Sequence, residues 1–195
     1  LYVLKTLGAE MRNRILGVVC SIGVMSCHSA YAATKFEVTA ETFAKGQLSE
    51  LNVLNGFGCT GKNISPKITW HGEPEGTQSY VVSMYDPDAP TGSGWWHWVI
   101  ANIPASVHEI PQGAGSGQTD AKIPEGVIQT NTDFGQSGYG GPCPPEGTTH
   151  RYIITVTALK VPKLDVTNAT TGAQVGFMAG MNSLGKATYT LTYGR

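Results

Sequence analysis

Apolar and polar positions alternate with a period of two over several stretches of the chain, and that period predicts strands. Segments 35–39, 68–70, 80–85, 151–157 and 187–193 are all rich in β-branched and aromatic residues. Between them lie turn-forming clusters such as Asn55-Gly56-Phe57-Gly58 and Gly138-Tyr139-Gly140-Gly141-Pro142. One segment follows a helical period instead. Thr171-Gly172-Ala173-Gln174 fits a capping box, and Val175, Phe177, Met178, Met181 and Leu184 follow at helical spacings. The pattern predicts a mainly β domain: two packed antiparallel sheets with a few short helices.

Composition adds a boundary to this picture. The chain has 195 residues, 41% hydrophobic and 14% charged, with a net charge of −1. That suits a single domain with a real core. No run of one sign stands out, so a nucleic-acid surface is not expected. The N-terminal part reads differently. Met11, Arg12 and Arg14 precede an apolar stretch over 15–24, and Ala30-Tyr31-Ala32 forms a small-x-small cleavage signal. Residues 11–32 are therefore predicted to be a secretory signal peptide, with 1–10 as upstream sequence and 33–195 as the folded domain. The apolar stretch is well short of the roughly 20 residues a membrane span needs. A lipoprotein signal around Cys27 fits less well, because Met25 stands where a small residue is usual. The product is expected in the periplasm, or released from it, and not membrane-spanning.

Cleavage would leave two of the four cysteines, Cys59 and Cys143. In an exported protein such a pair reads as a disulfide, the alternative being two free buried thiols.

Candidate chemistry concentrates in two stretches. Asp86-Pro87-Asp88-Ala89-Pro90 is a stiff turn that carries two carboxylates and leads into Trp95-Trp96-His97-Trp98. Period two places Trp95, His97 and Val99 on one face, and Trp96, Trp98 and Ile100 on a core face. The second stretch is a Gly/Pro-rich loop that delivers His150 and Tyr152 to one strand face and Arg151 to the other. Together they predict a polar-bottomed, aromatic-lined cleft. Three chemistries could use such a cleft. A Ser-His-Asp hydrolase lacks a Gly-x-Ser-x-Gly elbow. A metal site built on His97, His150 and Asp86 lacks ligand spacing, so no metal or other cofactor is expected. Anion capture between two imidazoles, one oriented by Asp86, needs nothing that the sequence lacks.

Several motifs resemble the phosphatidylethanolamine-binding protein family, also called the Raf kinase inhibitor protein family. They are Asp86-Pro87-Asp88-Ala89-Pro90, Trp95-x-His97, Asn102-Ile103-Pro104 and the Gly-Pro-x-Pro-Pro-x-Gly-x-x-His-Arg-Tyr run that ends at Tyr152. Asn63-Ile64-Ser65-Pro66-Lys67-Ile68-Thr69-Trp70 and the terminal Tyr193-Gly194-Arg195 look like the bacterial branch of the family. The resemblance implies two antiparallel sheets and a small pocket for phosphate-like anions or a phospholipid head group. It would be lined by Asp86, Pro90, Trp95, His97, Pro144, Pro145, His150 and Tyr152. Asp88 and Arg151 are expected to pair behind it. The resemblance also implies a non-enzymatic protein that modulates a partner, since family members inhibit kinases or serine proteases. For an exported chain that partner would be periplasmic or belong to a host. The alternative is a phosphoester or peptide hydrolase using the two histidines. The C-terminal helix that animal members place over the pocket has no match here.

Overall fold

The computed structural model describes residues 35–41, 46–117 and 119–195. The predicted signal peptide and the residues upstream of it lie outside the described residues. In chain order the elements are β1 (Glu37–Ala40), β2 (Asn55–Gly56), β3 (Cys59–Thr60), β4 (Ile68–His71), β5 (Ser79–Asp86), β6 (Trp95–Pro104), β7 (Glu109–Ile110), β8 (Ile128–Gln129), β9 (Thr149–Leu159), α1 (Gly172–Asn182) and β10 (Ser183–Gly194). Among the described residues there is one α-helix, where a few short ones were expected.

The strands form a five-stranded sheet in the order β10-β9-β5-β6-β8, a three-stranded sheet β1-β4-β7 and the hairpin β2-β3. All named pairings are antiparallel. The larger sheet is covered on both faces. Its inner face, with Tyr80, Met84, Trp98, Ile100, Tyr152 and Ile154, packs on Val38, Ile68, Trp70 and Ile110 of the smaller sheet. Its outer face, with Val81, Val99 and Ala101, packs on Val175 and Ala179 of α1 and on Leu164 and Val166. Double coverage explains why β5 is nearly continuously buried instead of alternating.

The expected parity of β6 fails, and a bulge is the reason. Met84 pairs with Trp98 but Tyr85 pairs with Trp96, which leaves His97 as an extra residue on β6. One inserted residue moves everything beyond it to the opposite face. Trp96 and Val99 therefore share the helix-covered face, while Trp98 and Ile100 lie between the sheets. A second bulge follows where Tyr80 pairs with Ile103 and Val82 with Ile100. Asn102 stands there at φ +62°. Its side-chain amide donates to the Leu164 carbonyl at 3.2 Å and accepts from the Leu164 N–H at 2.7 Å. Asparagine suits the position, because it tolerates the left-handed region and carries both a donor and an acceptor.

The capping box at Thr171 and Gln174 is present, but the buried helix face keeps only part of the predicted set, Val175 with Met178 packed beside it. Gly172, Val175 and Ala179 face the sheet, whereas Phe177 and Met181 are 71% and 65% exposed. Leu184 lies beyond the helix, in β10. Close approach decides this: a Cβ on Gly172 would come within 2.6 Å of the Trp96 ring. The helix lies against the sheet by its small residues, which turns the large ones outward.

Candidate functional site

Three neighbouring strands end at the same edge of the larger sheet, and each brings one part of the site. Asp86 is the last residue of β5 and is paired with Trp95, the first of β6; His150 is the second of β9. The bulge turns His97 to the same side. Asp86, His97 and His150 are 3%, 4% and 6% exposed, so three ionisable groups share a nearly dry environment.

Their polar atoms are mostly committed to one another. His150 Nδ1 donates to Asp86 Oδ2 at 2.7 Å, and Asp86 Oδ1 accepts the Asp88 N–H at 2.8 Å. The Nδ1 of His97 lies 2.7 Å from the Gly140 carbonyl. A carbonyl only accepts, so Nδ1 carries the hydrogen and Nε2 is left free. That Nε2 stands 4.0 Å from Asp86 Oδ2. Burial pushes the His97 pKa down, against the opposing pull of the Gly140 carbonyl and Asp86; the ring is neutral near pH 7. Tyr152 stands edge-on to His97, with ring centroids 5.1 Å apart. Its hydroxyl is buried without a hydrogen-bond partner among the described residues. Burial, aided by Asp86, pushes its pKa up, so the phenol keeps its proton.

These groups line a cavity of about 210 Å³, below the usual range of ligand pockets. All eight residues expected to line a pocket line this one: Asp86, Pro90, Trp95, His97, Pro144, Pro145, His150 and Tyr152. Asp88 and Arg151 lie outside it. Arg151 Nε and Nη2 donate to the two Asp88 oxygens at 2.9 and 2.6 Å, and the Arg151 N–H donates to Oδ2 at 2.9 Å. These bonds hold the Asp88 carboxyl at about 2. The pair thereby clips the 86–90 turn to the start of β9.

Sequence reasoning missed part of the wall. Leu54, Phe57 and Phe134 also line the cavity, and Asn63, at φ +53°, sets its glycine loop. The Asn63 side chain donates to the Tyr139 carbonyl at 3.1 Å and accepts the Gly141 N–H at 2.7 Å. Such contacts link segments more than 70 positions apart, and no local period reports them. Phe134, an aromatic inside a polar turn-rich stretch, was the one visible signal. Cys59 and Cys143 form a disulfide, with Cα atoms 6.0 Å apart. It ties the β2-β3 hairpin to the Cys143-Pro144-Pro145 wall.

Two packed antiparallel sheets are the architecture that the motifs implied, and comparison with known proteins agrees on that fold. Residues 40–194 match the family model described as phosphatidylethanolamine-binding protein, and the chain belongs to that family. Among curated proteins it is 52% identical over 147 residues to the UPF0098 protein YbhB of Escherichia coli, covering 75% of this chain and 92% of the relative. It is 46% identical over 178 residues to E. coli YbcL, covering 90% and 96%. The crystal structure of E. coli YbcL, titled a new member of the mammalian PEBP family, superposes with a TM-score of 0.78 at 48% identity, covering 82% of this chain and 98% of that one. A relative whose name marks it as a lipoprotein, LppC of Mycobacterium tuberculosis, is 32% identical over 160 residues, covering 81% of this chain and 72% of its own length.

Proposed function

We propose that this protein is a non-enzymatic binding protein that takes a phosphate-type anion, or a phosphorylated head group, in the Asp86–His97–His150 cavity. One observation carries the reading: two buried histidines have their Nδ1 atoms committed to Asp86 and to Gly140, which leaves two Nε2 atoms uncommitted beside one small cavity that both rings line. These atoms suit a compact, multiply hydrogen-bonded ligand. A neutral His97 offers a lone pair at Nε2, so an anion either arrives protonated or induces the imidazolium. A phosphate monoester loses its second proton near pH 6, and both routes tighten binding as pH falls.

Export is part of the proposal. The Arg12–Ala32 pattern supports it, as does the lipoprotein name of one relative. Among the described residues no helix is long and apolar enough to cross a membrane. On this reading the partner to be modulated is a periplasmic or host protein, met through the surface around the loaded cavity. The test is calorimetric titration with phosphorylethanolamine of the wild type, His97→Ala and His150→Ala. Saturable one-site binding that weakens at least tenfold in each variant is expected. No binding by the wild type, or binding untouched in both variants, overturns the reading. Turnover of a phosphoester, lost in both variants, would establish the hydrolase instead.

A further inference from the structure

The hairpin beside the cavity contains an anomaly that the anion site does not use. Between β2 and β3 the two-residue turn is Phe57-Gly58, with φ of +52° and +85°. Turns with both central residues left-handed favour Asn and Gly, and a bulky side chain in that region is a genuine outlier. Burial does not compensate, because Phe57 is 71% exposed. Backbone strain of this kind clusters at ligand clamps.

The position of the ring points to a ligand. Phe57 and Phe134 both line the cavity and stack, with centroids 5.9 Å apart and planes inclined by 20°. Phe134 stands edge-on to Trp95 and to His97, each with centroids 5.4 Å apart. A continuous aromatic surface thus runs from the buried imidazole to the exposed ring. The turn that presents Phe57 is held by the Cys59–Cys143 disulfide and by a bond from Arg195 Nη1 to the Gly58 carbonyl at 3.3 Å. The ionisable groups of the cavity, Asp86 and the two histidines, are buried, while most of the remaining lining is apolar, including Leu54, Ala89, Pro90, Pro144 and Pro145.

We propose that Phe57 is a specificity-determining residue that receives a flat apolar group esterified to the bound phosphate. The inference rests on the anion reading above, and adds which phosphate esters the site prefers: aryl esters over inorganic phosphate and over an ester carrying a charged amine. The strained backbone persists because it aims the ring across the mouth.

The test compares phenyl phosphate, phosphorylethanolamine and inorganic phosphate on the wild type, Phe57→Gly and Phe57→Asn. Both replacements accept the left-handed turn, so the thermal midpoint should hold or rise. The readout is the ratio of affinities. For the wild type, phenyl phosphate is expected to bind about tenfold more tightly than inorganic phosphate, the gain of one well-placed aromatic contact, and both variants should bring the ratio close to one. A wild-type ratio of one, or a ratio that survives both variants, overturns the role of Phe57 while the anion site stands. Tighter binding of phosphorylethanolamine than of phenyl phosphate overturns the apolar preference. A wild type that binds no phosphate at all overturns the anion reading and this inference together.

Discussion

The disulfide gives the most quantitative prediction. Cys59 and Cys143 are 84 positions apart, and on the chain-entropy model a loop of that size constrains the unfolded chain by about 4.5 kcal/mol. The local structure would lose support as well. Each strand of the β2-β3 hairpin has two residues, and so small a ribbon is marginal by itself. Once the bond is cut, the hairpin segment and the pocket loop still meet through the Leu54 N–H to Pro142 carbonyl bond at 3.1 Å and the Asn63 bonds. Their survival argues for a weakened wall, not a lost one. Strain or residual structure reduces the entropic figure in practice, so a loss of roughly 3–4 kcal/mol is expected. In a domain of this size that lowers the thermal midpoint by roughly 10 °C. The assay is urea denaturation of the oxidised wild type, Cys59→Ala, Cys143→Ala and the double variant. All three variants break the same bond, so the double variant should cost little more than either single one. A loss below about 1 kcal/mol in all three would refute the reasoning. So would single losses that simply add.

Three further outcomes are expected. Asn102→Ala forces alanine into the left-handed region and orphans the buried Leu164 N–H, costing about 3 kcal/mol in chemical denaturation; Asn102→Gly removes the backbone penalty and should cost measurably less. Arg151→Met removes the bidentate partner that holds Asp88 at about 2. The contribution of this carboxylate to stability is present above its unfolded pKa and is lost as pH falls through about 2. In the variant the carboxyl titration followed by NMR should move up towards the ordinary value near 4, part of the way only, because the backbone N–H at position 151 still donates to Asp88. His97 gives the opposite sign. Its folded pKa is lowered by burial, so below about pH 6.5 the unfolded chain takes up a proton that the folded one refuses. Stability should therefore fall as pH drops from about 6.5, and His97→Gln should flatten that slope in urea midpoints measured between pH 7.5 and 5.

What could be read from the sequence divides along physical lines. Strand β9 was legible because Arg151 to Thr157 are rich in β-branched and aromatic residues, and His150 and Tyr152 do share one face. Strand β6 was legible as a strand but its full parity was not, because the His97 bulge is set by pairing with β5 and no feature within Trp95–Pro104 announces an extra residue. The same bulge makes the site: without it, His97 and Trp98 would not both face the inner side. Helix α1 was legible as a helix from its capping box, but its face was misjudged, since hydrophobic spacing ranks Phe177 above Gly172 while close packing on Trp96 does the reverse. The Asp86-to-Pro90 turn, the two histidines and the Cys59–Cys143 pair were visible as residue types. Phe57 and Asn63 became meaningful only when a left-handed backbone angle and a contact across the chain were seen together.

The central claim is that a phosphate-type anion lodges between the two imidazoles, and ¹⁵N NMR of the histidine rings during titration with inorganic phosphate tests it most directly. The account predicts that the Nε2 signals of His97 and His150 both move along one saturation curve with a shared Kd, that the affinity rises as pH is lowered, and that the exposed His71 stays still. Imidazole signals that do not respond to phosphate, or that respond at His71 as much as at His97 and His150, would contradict it.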